Sequence, residues 1–112
     1  MANELFAFQQ LDIYIAAREL AALVHRAGIA DAELRDQATR ASKSVFLGIC
    51  EGLPNEQVGM RRKYFTQANN SLHETVGAVD LACAVGALAP EAAASAQELA
   101  LRVKRMLRAL MR

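Results

Sequence analysis

The chain has 112 residues, 54% of them apolar and 5% aromatic, with 13 Lys/Arg against 12 Asp/Glu and a formal net charge of +1. That length suits one domain over residues 1–112, large enough to remove roughly two thirds of its unfolded surface from water, with a core built from Leu, Ala, Val and Ile. No apolar run approaches the ~18 residues of a membrane span, Cys50 and Cys83 have neither zinc spacing nor a disulfide framework, and the opening "MANELFAFQQ" lacks the basic-then-apolar layout of a secretion signal; the expectation is a cytoplasmic chain with two reduced core thiols and no bound cofactor or metal.

Three breaks divide the sequence. Gly28 precedes Asp31, a candidate N-cap; "EGLPNEQ" holds Gly52, Pro54 and Asn55; Gly86 precedes Pro90. Glycine ends helices and proline opens them, so the punctuation predicts four helices near 4–27, 31–52, 55–87 and 90–112. No strand-like alternation competes, and the Ala, Leu, Glu, Arg and Gln content favours helix throughout. The predicted class is all-α, with four helices.

The first helix repeats Leu5, Phe8, Leu11, Ile15, Leu20 and Leu23 or Val24 near a one-face period. The second carries a narrow stripe of small and polar residues, Gln37, Ala41, Ser44, Gly48 and Glu51, beside an apolar arc of Val45, Phe46, Leu47, Ile49 and Cys50. A mid-helix glycine costs about 1 kcal/mol unless close packing offsets it, so Gly48 predicts a helix against this stripe. Glu51 sits at the unfavourable end of the helix dipole and needs donors: the free amides near Asn55 to Gln57, or a cation or hydroxyl on a neighbour. Its expected role is a structural tie between helices.

The third helix is apolar over a wide arc, from Tyr64 and Phe65 through Ala68, Ser71, Leu72, Thr75, Val76, Val79, Ala82 and Cys83, with Leu81 and Leu88 elsewhere on the wheel. The fourth is a clean amphipath: Leu99, Val103, Met106, Leu107, Leu110 and Met111 share one side, and Lys104, Arg105, Arg108 and Arg112 the other. Residues 1–60 hold five Lys/Arg against eight Asp/Glu, whereas residues 61–112 hold eight against four. Cationic character therefore gathers in "RRK", Arg61 to Lys63, and in the last helix. Such a ridge is either a solvated face or a phosphate-binding surface, and repeated copies would add their fields.

"QATRASKSVFLGICEG" followed by "KYFTQANNSLHE" resembles the two signature segments of the four-helix-bundle family encoded in intervening sequences of bacterial 23S ribosomal RNA genes. Gln37, Arg40, Ser44, Val45, Ile49, Glu51 and Gly52 match the first segment; Phe65, Ala68, Ser71, Leu72 and Glu74 match the second. "FQQLDIYIAARELA" is similar to the family's first helix, so the resemblance covers roughly residues 6–85. Gly48 and Cys50 stand where the family usually has Asn and Ala, and Asn70 replaces the usual Gly. The resemblance implies an up-down antiparallel four-helix bundle that assembles into a ring-like homopentamer, as in this family and the related accessory protein of diversity-generating retroelements, and implies no catalytic residues.

The residues agree with that picture, because the broad apolar arc of the third helix and the small stripe of the second ask for more neighbours than one short chain supplies. The expected function is a non-enzymatic, oligomeric, low-specificity nucleic-acid adaptor, with RNA as the expected nucleic acid and Arg61, Arg62, Lys63, Lys104, Arg105, Arg108 and Arg112 as contacts; the alternative is a protein-interaction scaffold. Neither a membrane nor a small-molecule substrate is expected as a partner. Other chemistries fit worse. Neither histidine has a Glu three residues before it, as a di-metal bundle requires. Arg18 and His25 are seven apart, like the pair of HEPN-type helical ribonucleases, yet lack a polar cluster around them. His73 beside Glu74 reads as a surface pair.

Overall fold

The computed structural model describes residues 4–112, and among them four α-helices and no strand. They are α1 (Asp12–Arg26), α2 (Ala32–Gly52), α3 (Val58–Ala84) and α4 (Pro90–Met111), preceded by a 3-10 turn at Ala7–Gln10. None is long and apolar enough to cross a membrane. Each boundary has a local cause. Asp31 Oδ1 accepts from Leu34 N at 2.9 Å, capping α2 as expected. Gln57 Oε1 accepts from Met60 N at 3.0 Å at the head of α3. Gly86, at φ 80°, lets Ala87 N donate to Ala82 O at 2.8 Å and Gly86 N to Cys83 O at 3.0 Å, a Schellman closure that a side chain at this φ would strain. Pro90 opens α4, where a missing N–H costs nothing.

The first helix departs from expectation. Leu11 is extended, at φ −76° and ψ 142°, so α1 starts at Asp12 rather than near residue 4. Leu5 and Leu11, expected in the core, are exposed, and the buried stripe is Ile13, Ala16, Ala17, Leu20 and Val24. The displaced N-terminal residues form an aromatic chain instead: Phe6 stacks on Phe8 at 5.8 Å, Phe8 meets Tyr14 edge-on at 5.6 Å, and Tyr14 meets Phe46 of α2 at 5.1 Å. A periodicity count cannot see that break, because Leu11 lies in phase with residues that are no longer on its helix.

The core draws on all four helices, with Leu20, Val45, Ile49, Phe65, Leu72, Val103 and Leu107 among its buried side chains. Ile29 and Leu88, from the two loops at one end, join it, and Ala30 N donates to Ala87 O at 2.9 Å across those loops. The only buried polar side chains among the described residues are Ser42 and Thr75, and each hydroxyl donates to a carbonyl of the preceding turn, Thr39 O and Ser71 O. No buried side-chain nitrogen or oxygen among the described residues lacks a partner. The apolar side of α4 is as expected, with Val103 and Leu107 buried and Leu99, Met106, Leu110 and Met111 half-buried.

The tightest contact is between α2 and α3. A Cβ on Gly48 would lie 3.1 Å from Ala68 Cβ and 3.2 Å from Tyr64 O; one on Gly52 would lie 2.6 Å from Phe65 Cε1. Further along, Ser71 Oγ donates to Ser44 Oγ at 2.9 Å, and Gln37 Nε2 to Glu74 Oε2 at 3.1 Å. Partner numbers fall on α3 as they rise on α2, so the two helices run in opposite senses. The small-residue stripe, expected to serve neighbours beyond the chain, is thus occupied by the chain's own third helix.

Two glycine substitutions should therefore move stability in opposite directions. Gly52→Ala must displace the Phe65 ring and is expected to cost about 1–3 kcal/mol by overpacking. Gly77, inside α3 with nothing near its missing Cβ, should gain about 0.5–1 kcal/mol on conversion to Ala. Urea melts of the two variants check both signs.

Candidate functional site

The sequence nominates two groups of residues, and the structure puts them on different seams. Gln37, Ser44, Gly48, Gly52, Ser71 and Glu74 line the α2–α3 seam through the contacts just described. Arg40 extends it, its Nη2 donating to Gln37 Oε1 at 3.4 Å and so completing a row from Arg40 through Gln37 to Glu74. Leu72 faces inward and is buried. Beside this seam lies an open groove of about 410 Å³ walled by Arg40, Lys43, Leu47, Glu51 and Gln67.

Glu51 does not tie the helices together. It is exposed on the rim of that groove, and amides expected to meet it are taken by nearer acceptors: Asn55 N by Gly52 O at 3.2 Å, and Gln57 N by Asn55 Oδ1 at 3.0 Å. The tie at this end is Arg61, whose Nη1 donates to Leu53 O at 2.7 Å and to Gly52 O at 3.5 Å. A guanidinium here satisfies carbonyls that the end of α2 leaves open and complements the negative end of its dipole. The same group sits 5.1 Å from the centroid of the Phe65 ring. Nothing in the "RRK" run distinguishes Arg61 from its neighbours; its spacing does, four residues after the α3 cap and four before Phe65.

Burial beside Glu51 has one chemical consequence. The Cys50 thiol is pushed above its ordinary pKa, first by desolvation and second by the Glu51 carboxylate. The thiol form is therefore favoured at neutral pH, and Cys50 is a poor nucleophile.

The remaining cations lie on α3 and α4. Arg62, Lys63, Arg105, Arg108 and Arg112 are exposed. Arg62 Nη1 donates to Met111 O at 3.3 Å, which brings the head of α3 to the tail of α4. Arg61, Arg62 and Arg112 accordingly border one recess of about 200 Å³ with Val58, Leu110 and Met111. Lys104 is set apart from this group. It is half-buried in the α3–α4 groove, where Nζ approaches Asn69 Oδ1 at 3.5 Å and His73 Nε2 at 3.4 Å. His73 Nδ1 lies 2.8 Å from Asn69 O; since a carbonyl only accepts, Nδ1 carries the proton and Nε2 offers its lone pair to the ammonium. His73 thus pairs with Asn69 and Lys104, and Glu74 with Gln37.

The other histidine and its proposed arginine partner are placed apart from these seams. Arg18 lies 5.8 Å over the Tyr14 ring, and His25 is exposed in the last turn of α1. Among the described residues, no three or more His, Cys, Asp or Glu side chains gather as a metal site would require.

A family model described as 23S rRNA-intervening sequence protein matches residues 9–109. Comparison with curated proteins gives no match.

Arg61→Met should lower stability by about 1–3 kcal/mol, because it removes a charged donor from two helix-end carbonyls, whereas Glu51→Ala should stay within about 0.5 kcal/mol of the parent; thermal melts of the pair decide which residue joins α2 to α3. Alkylation at pH 7 should modify Cys50 more slowly than an unhindered thiol, and raising the pH should accelerate it.

Proposed function

We propose that this chain, which belongs to the 23S rRNA-intervening sequence protein family, is a non-enzymatic adaptor that binds nucleic acid, RNA above all, through charge rather than sequence. The observation that carries the reading is the gathering of exposed cations where the head of α3 meets the tail of α4, with Arg62 reaching Met111 O and Arg112 on the same recess. Arg62, Lys63, Arg105, Arg108 and Arg112 form the binding surface in this proposal. Arg61, half-buried against the end of α2, and Lys104, half-buried in the α3–α4 groove, are not counted in that surface. Arginine suits the task because its planar fork can grip phosphate oxygens in pairs. Aromatic residues for base stacking are scarce, at 5% of the chain, which is why low sequence specificity is proposed.

The same reading includes a cytoplasmic, up-down antiparallel bundle that closes into a ring of identical copies, a pentamer in the proposed form. Its support is the apolar surface left outside the bundle: Leu47 is 55% exposed, Leu81 51% and Val85 59%. Closing a ring would cover such surface and place several basic faces side by side. The exposed apolar residues also favour the second reading, a scaffold for another protein without nucleic-acid binding.

A salt titration separates the two. If the five exposed cations of one copy each meet a phosphate of single-stranded RNA, affinity should fall about 100-fold between 50 and 200 mM salt. Replacing Arg105 and Arg108 by Glu should abolish binding and leave helicity unchanged. Absence of RNA binding at low salt would remove the nucleic-acid reading, and sedimentation of the same samples would report the number of copies.

A further inference from the structure

An apolar pocket of about 150 Å³ opens between α3 and α4, lined by Leu72, Val76, Ala100 and Leu101, with Lys104, His73 and Gln97 as its polar members. Its position differs from that of the basic face, and nothing in the proposed nucleic-acid reading uses it. Lys104 is half-buried as a residue, and the hydrogen-bond partners of its ammonium among the described residues, Asn69 Oδ1 and His73 Nε2, carry no negative charge. At 3.5 and 3.4 Å these contacts are long for such bonds. A cation whose partners in the chain carry no negative charge gains most from an anion. Two of its three N–H groups already point at acceptors, so one remains free.

We infer that this pocket binds a small organic carboxylate: an acyl or aryl body of roughly six carbons against Leu72, Val76, Ala100 and Leu101, its carboxylate on the free donor of Lys104. The size follows from the volume, since an apolar cavity of about 150 Å³ accommodates a benzene-sized body. The charge follows from Lys104. A phosphate fits less well, because it would bring up to two negative charges to one cation and a largely apolar wall. The tautomer of His73 completes the arrangement: with Nδ1–H donating to Asn69 O, Nε2 is left to accept from the Lys104 ammonium.

Methyl-labelled full-length protein titrated with sodium hexanoate tests the assignment at constant ionic strength. Saturable shifts confined to Leu72, Val76, Ala100 and Leu101 are expected, and hexanol should bind at least about tenfold more weakly. Lys104→Met, which keeps the stem and removes the charge, should weaken hexanoate binding by a similar factor, while Lys104→Arg restores most of it. Lys43→Met, an exposed cation on α2, should leave hexanoate binding unchanged, and an unchanged circular dichroism spectrum certifies the fold of each variant. The inference is overturned if hexanoate gives no saturable shift, if Lys104→Met binds it as well as the parent, or if the shifts spread over the exposed arginines. It is overturned equally if these methyl signals respond to protein concentration and not to hexanoate, which would make the pocket a contact between copies. RNA binding is read separately, so neither result depends on the other.

Discussion

The architecture depends on how closely α3 can approach α2. Gly48 and Gly52 remove the side chains that would hold the helices apart, and the gap they leave is filled by Ala68, the Tyr64 carbonyl and the edge of the Phe65 ring. Two glycines within one helix sacrifice about 1 kcal/mol each in intrinsic helix preference. Burial of Phe65 to 1% exposure is what offsets it, because an aromatic ring carries a large apolar area out of water. Once this contact is made the register is set. Ser44 meets Ser71 and Gln37 meets Glu74, while Arg61 of α3 reaches back to the carbonyls that end α2. A shift along either helix would put Ala68 or Phe65 against residues that have a Cβ.

The elements written in punctuation and amphipathicity were legible in the sequence. Asp31, Gly86 and Pro90 act as their types predict, and the inward side of α4 was readable from its period. The residues of the α2–α3 seam were also legible as a set, since Gly48 is hard to account for without a close neighbour. Which helix supplies that neighbour was not legible, because a stripe of small residues fits a helix of its own chain and a helix of another copy equally well. The start of α1 was hidden for a different reason: Leu11 leaves the helix without a glycine or proline to mark it.

Glu51 and Arg61 show the same limit at the level of a site. Their dipole arguments are mirror images: an anion at the end of α2 is disfavoured and a cation there is favoured. The sequence places Glu51 on that end and Arg61 ten residues later on another helix, so only the acid is visible as a puzzle. The structure resolves it by leaving Glu51 in solvent, where the dipole penalty is screened, and bringing Arg61 to the carbonyls. Charge counting assigned Arg61 and Lys104 to one basic ridge with their neighbours; burial and partners separate them from it.

That separation matters for any function built on charge. A guanidinium already bonded to Leu53 O and lying over Phe65, or an ammonium set between Asn69 and His73, must give up those contacts before it can follow a flexible polyanion. Exposed arginines such as Arg105 and Arg108 have no such cost and can adapt to phosphates at irregular spacing, which suits binding without sequence preference. Lys104, held at one place beside an apolar wall, suits the opposite task of recognising a single small anion of fixed shape. Two kinds of cation on α4 therefore divide along a physical line, mobility in water against position at an apolar edge: helical period turns Arg105 about 100° away from Lys104, and Arg108, one turn further along the stripe of Lys104, is exposed.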